Sequence, residues 1–215
     1  MNGFKSVSPE EFFQILNDAP SSPTFRSDFA RYDPAAYEPD ADSECMVHQG
    51  DLTISGDFDV PGFLTLVIGN LIVDGHVSLQ NPYEEMNGLF VLIGDVRCRS
   101  FSNKYGKLAF IDGDLEAKDL ILNSYEDSSL SVTGTLRTYF FYGRYNWAEV
   151  GIGAFMEYGV GYCLPLGYSN EAQVIRPCHD EETSLSLLDF KKTSYIENEA
   201  FTDRIHEGRS VFKRR

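Results

Sequence analysis

The sequence is short of most features that would assign it a chemistry. No run approaches 18 consecutive apolar residues, which argues against a membrane-spanning helix. The opening MNGFKSVSPEEF has no apolar stretch of the secretory kind, so the chain is expected in the cytoplasm. Its four cysteines, Cys45, Cys98, Cys163 and Cys178, form no CxxC pair and have no histidine at metal-ligand spacing. They read as free, buried thiols rather than a disulfide or zinc site. Positive charge is scarce: 18 Lys and Arg stand against 33 Asp and Glu, a net charge of −15. Nucleic acid and anionic membranes both require a cationic footprint, so neither is expected as a partner, and a protein partner is expected to be basic. The imbalance is local as well. Residues 28–59 hold nine acids against Arg31, while residues 204–215 hold five cations against Glu207.

Catalytic constellations are equally sparse. His48, His76, His179 and His206 lie far apart, and none accompanies a nucleophile signature. Neighbours in an extended strand point to opposite faces, so the adjacent Cys178 and His179 of CHDEE make a poor dyad; the segment reads as a surface loop. GIGAFMEYGVG, residues 151–161, lacks the GKS or GxGxxG succession that cradles phosphate and reads as tight bends. Asp112 and Asp114 flank a glycine and read as turn residues, although Asp114 and Glu116 would be the acids to test in a carbohydrate-cleaving enzyme. No catalytic residue, cofactor or metal is expected.

What the chain does have is a repeated phrase. GDLTI from Gly50, GNLIV from Gly69, GDVRC from Gly94, GDLEA from Gly113 and GTLRT from Gly134 follow one another at spacings of 19, 25, 19 and 21 residues. Offset echoes begin at Gly56 and Gly75. A period near twenty marks a solenoid whose unit cannot bury its apolar face alone. Within each copy apolar residues alternate, as in Leu52 and Ile54 or Leu71 and Val73, which is the periodicity of a strand with one face inward. Runs such as LTLVIG and LFVLIG precede the glycine and supply a second strand. The fold expected is therefore all-β: a single-stranded parallel β-helix of about five or more coils over residues 49–178, with Pro82 and Gly88 turning an extruded loop. An acidic capping segment, residues 1–48, precedes it. There Ser8, Pro9 and Glu11 announce a short helix over residues 9–17. A C-terminal segment, residues 179–215, carries a second helix near residues 199–207 and a basic tail.

The GDL and GNL phrases, the coil length and the closing IHEGRSVFK resemble bacterial β-helical proteins loosely related to the polymer-forming, bactofilin-like class, a group that includes β-helical immunity proteins of toxin systems. The resemblance implies three readings: a non-enzymatic immunity protein, a scaffold polymerising end to end, or a β-helix enzyme acting on carbohydrate. The first is preferred. Its partner would be a cognate basic toxin such as a nuclease, and the chain itself a monomer or homodimer. The binding residues follow from aromatic and acidic loops: Tyr83, Glu84 and Glu85; Tyr125, Glu126 and Asp127; and Tyr142, Arg144, Tyr145 and Trp147 from the aromatic run YFFYGRYNW.

Overall fold

The computed structural model describes residues 3–31, 44–79, 88–103, 107–123, 129–144, 147–161, 163–168, 171–189, 204 and 210–213. A short strand, β1 (Lys5–Val7), leads into α1 (Pro9–Asp18) and α2 (Pro23–Phe29). Both helices start the same way: Ser8 and Ser22 accept from the backbone N–H three residues on, and proline occupies the first turn, where a missing N–H costs nothing. The solenoid then climbs in about six turns. Its rungs are β2 (Cys45–Gln49), β3 (Leu52–Ile54) and β4 (Phe58–Val60); β5 (Leu64–Ile68), β6 (Leu71–Val73) and β7 (His76–Leu79); β8 (Gly88–Ile93) and β9 (Val96–Asn103); β10 (Lys107–Asp112) and β11 (Leu115–Asn123); β12 (Ser129–Val132) and β13 (Thr135–Gly143); and β14 (Ala148–Val150) and β15 (Gly153–Val160). Two-residue strands, β16 (Leu166–Gly167) and β17 (Gln173–Val174), begin a last turn, and α3 (Glu181–Ser186) follows.

Every rung-to-rung pairing is parallel. β2, β5, β8, β10, β12, β14 and β16 form a first wall. The second sheet bends: pairing between β9 and β11 slips between Ala117 and Leu120, and there the wall turns. It is thus split into a second wall, from β3 and β6 up through residues 96–98, 115–117 and 136–138, and a third wall, from β4 and β7 up through residues 100–103, 120–123 and 140–143. Inward side chains stack in ladders, among them Leu52, Leu71, Val96, Leu115, Leu136 and Ala154, all buried in one core. Removing three carbons from such a rung, as in Leu115→Ala, costs on the order of 3 kcal/mol.

The repeated Gly-Asx pair has a mechanical explanation. Asp51 Oδ1 accepts the backbone N–H of Asn70 at 2.8 Å, Asn70 Oδ1 that of Asp95 at 2.9 Å, Asp95 Oδ1 that of Asp114 at 2.9 Å, and Asp114 Oδ1 that of Thr135 at 2.7 Å. The corner side chain of each rung thus ties down the corner of the next. The glycine before it is imposed by the stack: a Cβ on Gly113 would lie 2.1 Å from the carbonyl oxygen of Gly94. At the opposite corner Asn103 Nδ2 donates to the carbonyls of Lys107 and Ser129, and Asn123 Nδ2 to that of Trp147, which holds the returning legs of the chain.

Several expectations need correction. The first coil begins at Cys45, inside the segment assigned to the cap. Gly88 opens β8 rather than turning a loop, because a Cβ there would press on the Lys107 side chain and the Phe63 carbonyl. CHDEE is a loop only in part: Cys178 and His179 lie in an exposed connection, while Asp180 caps α3 by accepting from Thr183 N–H at 2.7 Å, and Glu181 and Glu182 fill its first turn. Cys45, Cys98 and Cys163 are free and buried, but Cys178 is exposed. The helix expected near residues 199–207 lies outside the described residues apart from Arg204. Among the described residues no helix is long and apolar enough to cross a membrane.

The ends of the column differ. β1 runs antiparallel to β2, so the lower edge of the first wall finishes in a strand of opposite direction. At the top, β16 and β17 are short, and Pro165 and Pro177 lie beside them.

One core residue is anomalous. Lys107 is fully buried and donates from Nζ to the Gly62 carbonyl at 2.8 Å. Burial, opposed only in part by the charge of Glu44, lowers its pKa from 10.5 to about 7. Folding therefore disfavours the ammonium. The penalty is present in full below pH 7 and fades as pH rises from 7 towards 10.5, where folded and unfolded chains hold the same proton count. Lys107→Met is expected to raise stability at pH 6, with its advantage over the parent shrinking by about 1.4 kcal/mol per pH unit above pH 7 in urea unfolding. An advantage that stays constant from about pH 6 to pH 9.5 would refute the assignment.

Candidate interaction surface

The terminal segments decide which walls meet solvent. α1 and α2 lie over the outer face of the first wall, where Phe12, Leu16 and Phe25 pack with Leu64, Leu66, Val91 and Phe110. Above them Asp28 is buried and accepts from the Tyr168 hydroxyl at 3.0 Å and from the Ser131 hydroxyl, while Arg31 bridges Asp28 and Glu149. Burial, reinforced by the charge of Asp28, pushes the Tyr168 hydroxyl far above the ordinary phenol range, so it remains a donor.

The third wall is covered from the other terminus. Residues 187–189 and 211–213 pair through backbone bonds, and Leu188 and Val211 pack on Leu120, Leu122, Phe140, Tyr142, Tyr158 and Val160. His179 stacks flat on Tyr158 with ring centroids 4.4 Å apart. Lower on the same wall the apolar columns give way to His76, Ser78, Ser100 and Ser102, all buried. His76 Nδ1 lies 2.8 Å from Ser100 Oγ and Nε2 lies 2.9 Å from Ser102 Oγ. Arg99 and Asp119 pair at 2.8 Å beside them. The cleft at this point measures about 100 Å³. That is space for a few waters and well below a substrate pocket. With a serine hydroxyl on each ring nitrogen, the imidazole acts as a tie between neighbouring rungs.

Among the described residues nothing roofs the second wall, and its outward side chains are largely exposed. Register stacks its outward residues in one column, Thr53, Ile72, Arg97, Glu116, Arg137 and Phe155, and Ile175 continues it directly after β17. Ile72 on β6 and Ile175 just beyond β17 are 39% and 43% exposed. The guanidinium of Arg137 sits 4.4 Å from the centre of the Phe155 ring. Along the bend edge of the same wall two cations, Arg99 and Lys118, are matched by two acids, Asp119 and Glu157. This wall is charge-balanced, so the chain's excess acidity resides elsewhere.

The binding residues expected from the sequence are distributed unevenly. Tyr83, Glu84, Glu85, Tyr125, Glu126, Asp127 and Tyr145 lie outside the described residues. Tyr142 is corrected: it is fully buried beneath the C-terminal segment and offers nothing to a partner. Phe140 and Phe141 are buried too, so most of the aromatic run is packing. Arg144 is half-buried and reaches Glu181 at 3.9 Å. Trp147 is 57% exposed. It precedes β14 at the corner where the chain passes from the third wall back to the first. Among the described residues no three His, Cys, Asp or Glu side chains converge as a metal site.

No family model, curated protein or solved structure matches this chain.

If His76 ties the rungs together, His76→Ala leaves two hydroxyls in a buried wall and is expected to cost about 2–3 kcal/mol in urea unfolding, with the strand signature in circular dichroism unchanged. A loss below about 0.5 kcal/mol would remove the structural role.

Proposed function

We propose that the chain is a non-enzymatic binding protein, an immunity protein that neutralises a cognate basic toxin such as a nuclease. The observation that carries this reading is Trp147, the chain's single tryptophan, held 57% exposed on the rigid return corner. Tryptophan is the side chain most enriched at the energetic centre of protein interfaces, and a solenoid wall fixes its position at little entropic cost. The −15 charge supplies long-range attraction for a cationic partner. The acidic and tyrosine-bearing segments at residues 83–85 and 125–127 are proposed from their sequence to complete the contact.

The ends of the column support a discrete particle over a filament. A subunit stacking onto the antiparallel β1 would meet a strand of the wrong direction, and proline near the upper edge cannot donate to a growing ladder. As for carbohydrate cleavage, Asp114 already spends one carboxylate oxygen on the Thr135 N–H.

Co-expression with the toxin encoded beside it is expected to protect cells, and the purified pair to bind more weakly as salt is raised. Trp147→Ala should weaken binding by roughly thirty-fold or more in calorimetry while leaving the melting temperature within about 1 °C. Absence of both protection and binding with the parent chain would sink the reading.

A further inference from the structure

The second wall repeats its own chemistry when read backwards. Above Thr53, which the reversal leaves without a counterpart, the column runs from bottom to top Ile72, Arg97, Glu116, Arg137, Phe155, Ile175. Reversed about the midpoint between Glu116 and Arg137, each residue meets a complement: Glu116 meets Arg137, Arg97 meets Phe155, and Ile72 meets Ile175. The pairs are an ion pair, a cation over an aromatic face and an apolar contact. The bend edge obeys the same reversal, because Arg99 lies on the rung of Arg97 and Glu157 on that of Phe155, and these too are opposite in charge. A two-fold axis lying in the plane of contact and running along the strands performs this operation, turning one column upside down against another. An isologous dimer requires such self-complementarity of one patch.

The geometry points to a second copy of this chain as the occupant of the second wall. Two flat sheets meet face to face with their solenoid axes antiparallel. Phe155, already covered on one side by Arg137 of its own chain, receives Arg97 of the other copy. The area sets the strength. Six rungs at about 4.8 Å and a width of three to four residues at about 3.3 Å give roughly 300–400 Å² of flat wall per copy, below a standard interface and in the range of a weak, transient contact. The dimer is therefore expected to form in the range of about 10–100 µM rather than to be permanent. The return corner with Trp147 lies across the column from this wall, between the first and third walls, so dimerisation leaves it open. The inference stands apart from the proposed toxin partner.

Sedimentation equilibrium of the full chain over about 5–500 µM tests it, a span that brackets the affinity expected for so small an interface. A concentration-dependent dimer is expected, lost in Glu116→Arg and in Arg137→Glu and restored when the two substitutions are combined, since the double swap re-forms the pair across the axis. Circular dichroism and melting of each variant guard against misfolding. A second arm uses Ile72→Cys with Ile175→Cys in a Cys178→Ser background. Within one chain these positions are five rungs apart, about 24 Å, which no disulfide spans, so mild oxidation should give a covalent dimer only across the two-fold axis. A chain that remains monomeric throughout overturns the inference, as does a dimer indifferent to Glu116→Arg or a double cysteine variant that stays uncrosslinked. If Glu116→Arg instead abolishes toxin binding by a monomer, the wall belongs to that partner and the dimer is likewise refuted.

Discussion

The parallel hydrogen bonding of one rung to the next is the constraint on which the rest of this molecule depends. Once strands stack in register at about 4.8 Å, a sequence position ceases to be a point on a line and becomes a column. What repeats in a column is amplified: leucine becomes a continuous core, glycine a vertical cleft that admits the next backbone, and Asx a chain of side chain to backbone ties running up the corner. Asp51, Asn70, Asp95 and Asp114 differ in charge but share the acceptor oxygen that the next N–H requires. The ladder stops where Thr135 replaces Asx, and it is near there that the coils shorten into β16 and β17.

The same constraint makes the outside of the column a problem of coverage. A wall whose outward positions are apolar must be roofed, and here each terminus roofs one wall. α1 and α2 cover the first, where Leu64, Leu66, Val91 and Phe110 point outward; residues 188 and 211 help to cover the third, where Phe140, Tyr142 and Tyr158 do. Where roofing residues give out, the wall changes composition. Below Leu120 and Leu122 the third wall offers Ser100, Ser102, His76 and Ser78, and His76 bonds Ser100 and Ser102 on the next rung. Among the described residues the second wall receives no roof, and charged side chains take over its column with apolar residues left towards its two ends.

This division explains which parts were legible in the sequence. Period, strand alternation and the Gly-Asx corners are local signals, and they were enough for the solenoid. The Ser8-Pro9 helix start was legible, and the identical signal at Ser22-Pro23 was present but unused, as was Asp180 followed by two glutamates at the start of α3. Tyr142 was beyond local reading for a physical reason. Alternation fails at the bend, where Tyr139 occupies the corner and Phe140, not Phe141, faces outward; and the roof over Tyr142 comes from residues 188 and 211, remote in the chain. Lys107 was opaque too, because its burial depends on Gly88 one rung below and on the Gly62 carbonyl two rungs below. The column of the second wall could not be read at all until register brought residues about twenty apart into contact order.

Charge is partitioned along the same lines. A molecule with fifteen excess negative charges repels its own copies at long range, so any face on which two copies meet must contribute no further repulsion of its own. Arg97, Arg99, Lys118 and Arg137 bring a substantial share of the chain's 18 cations to one wall and offset Glu116, Asp119 and Glu157 there. Concentrating cations on one face leaves the others more acidic than the average. At physiological ionic strength fields decay over about 8 Å, so a face senses its own charges far more than those across the column. One chain thereby presents two electrostatic characters: a neutral, patterned wall and remaining surfaces more acidic than that wall.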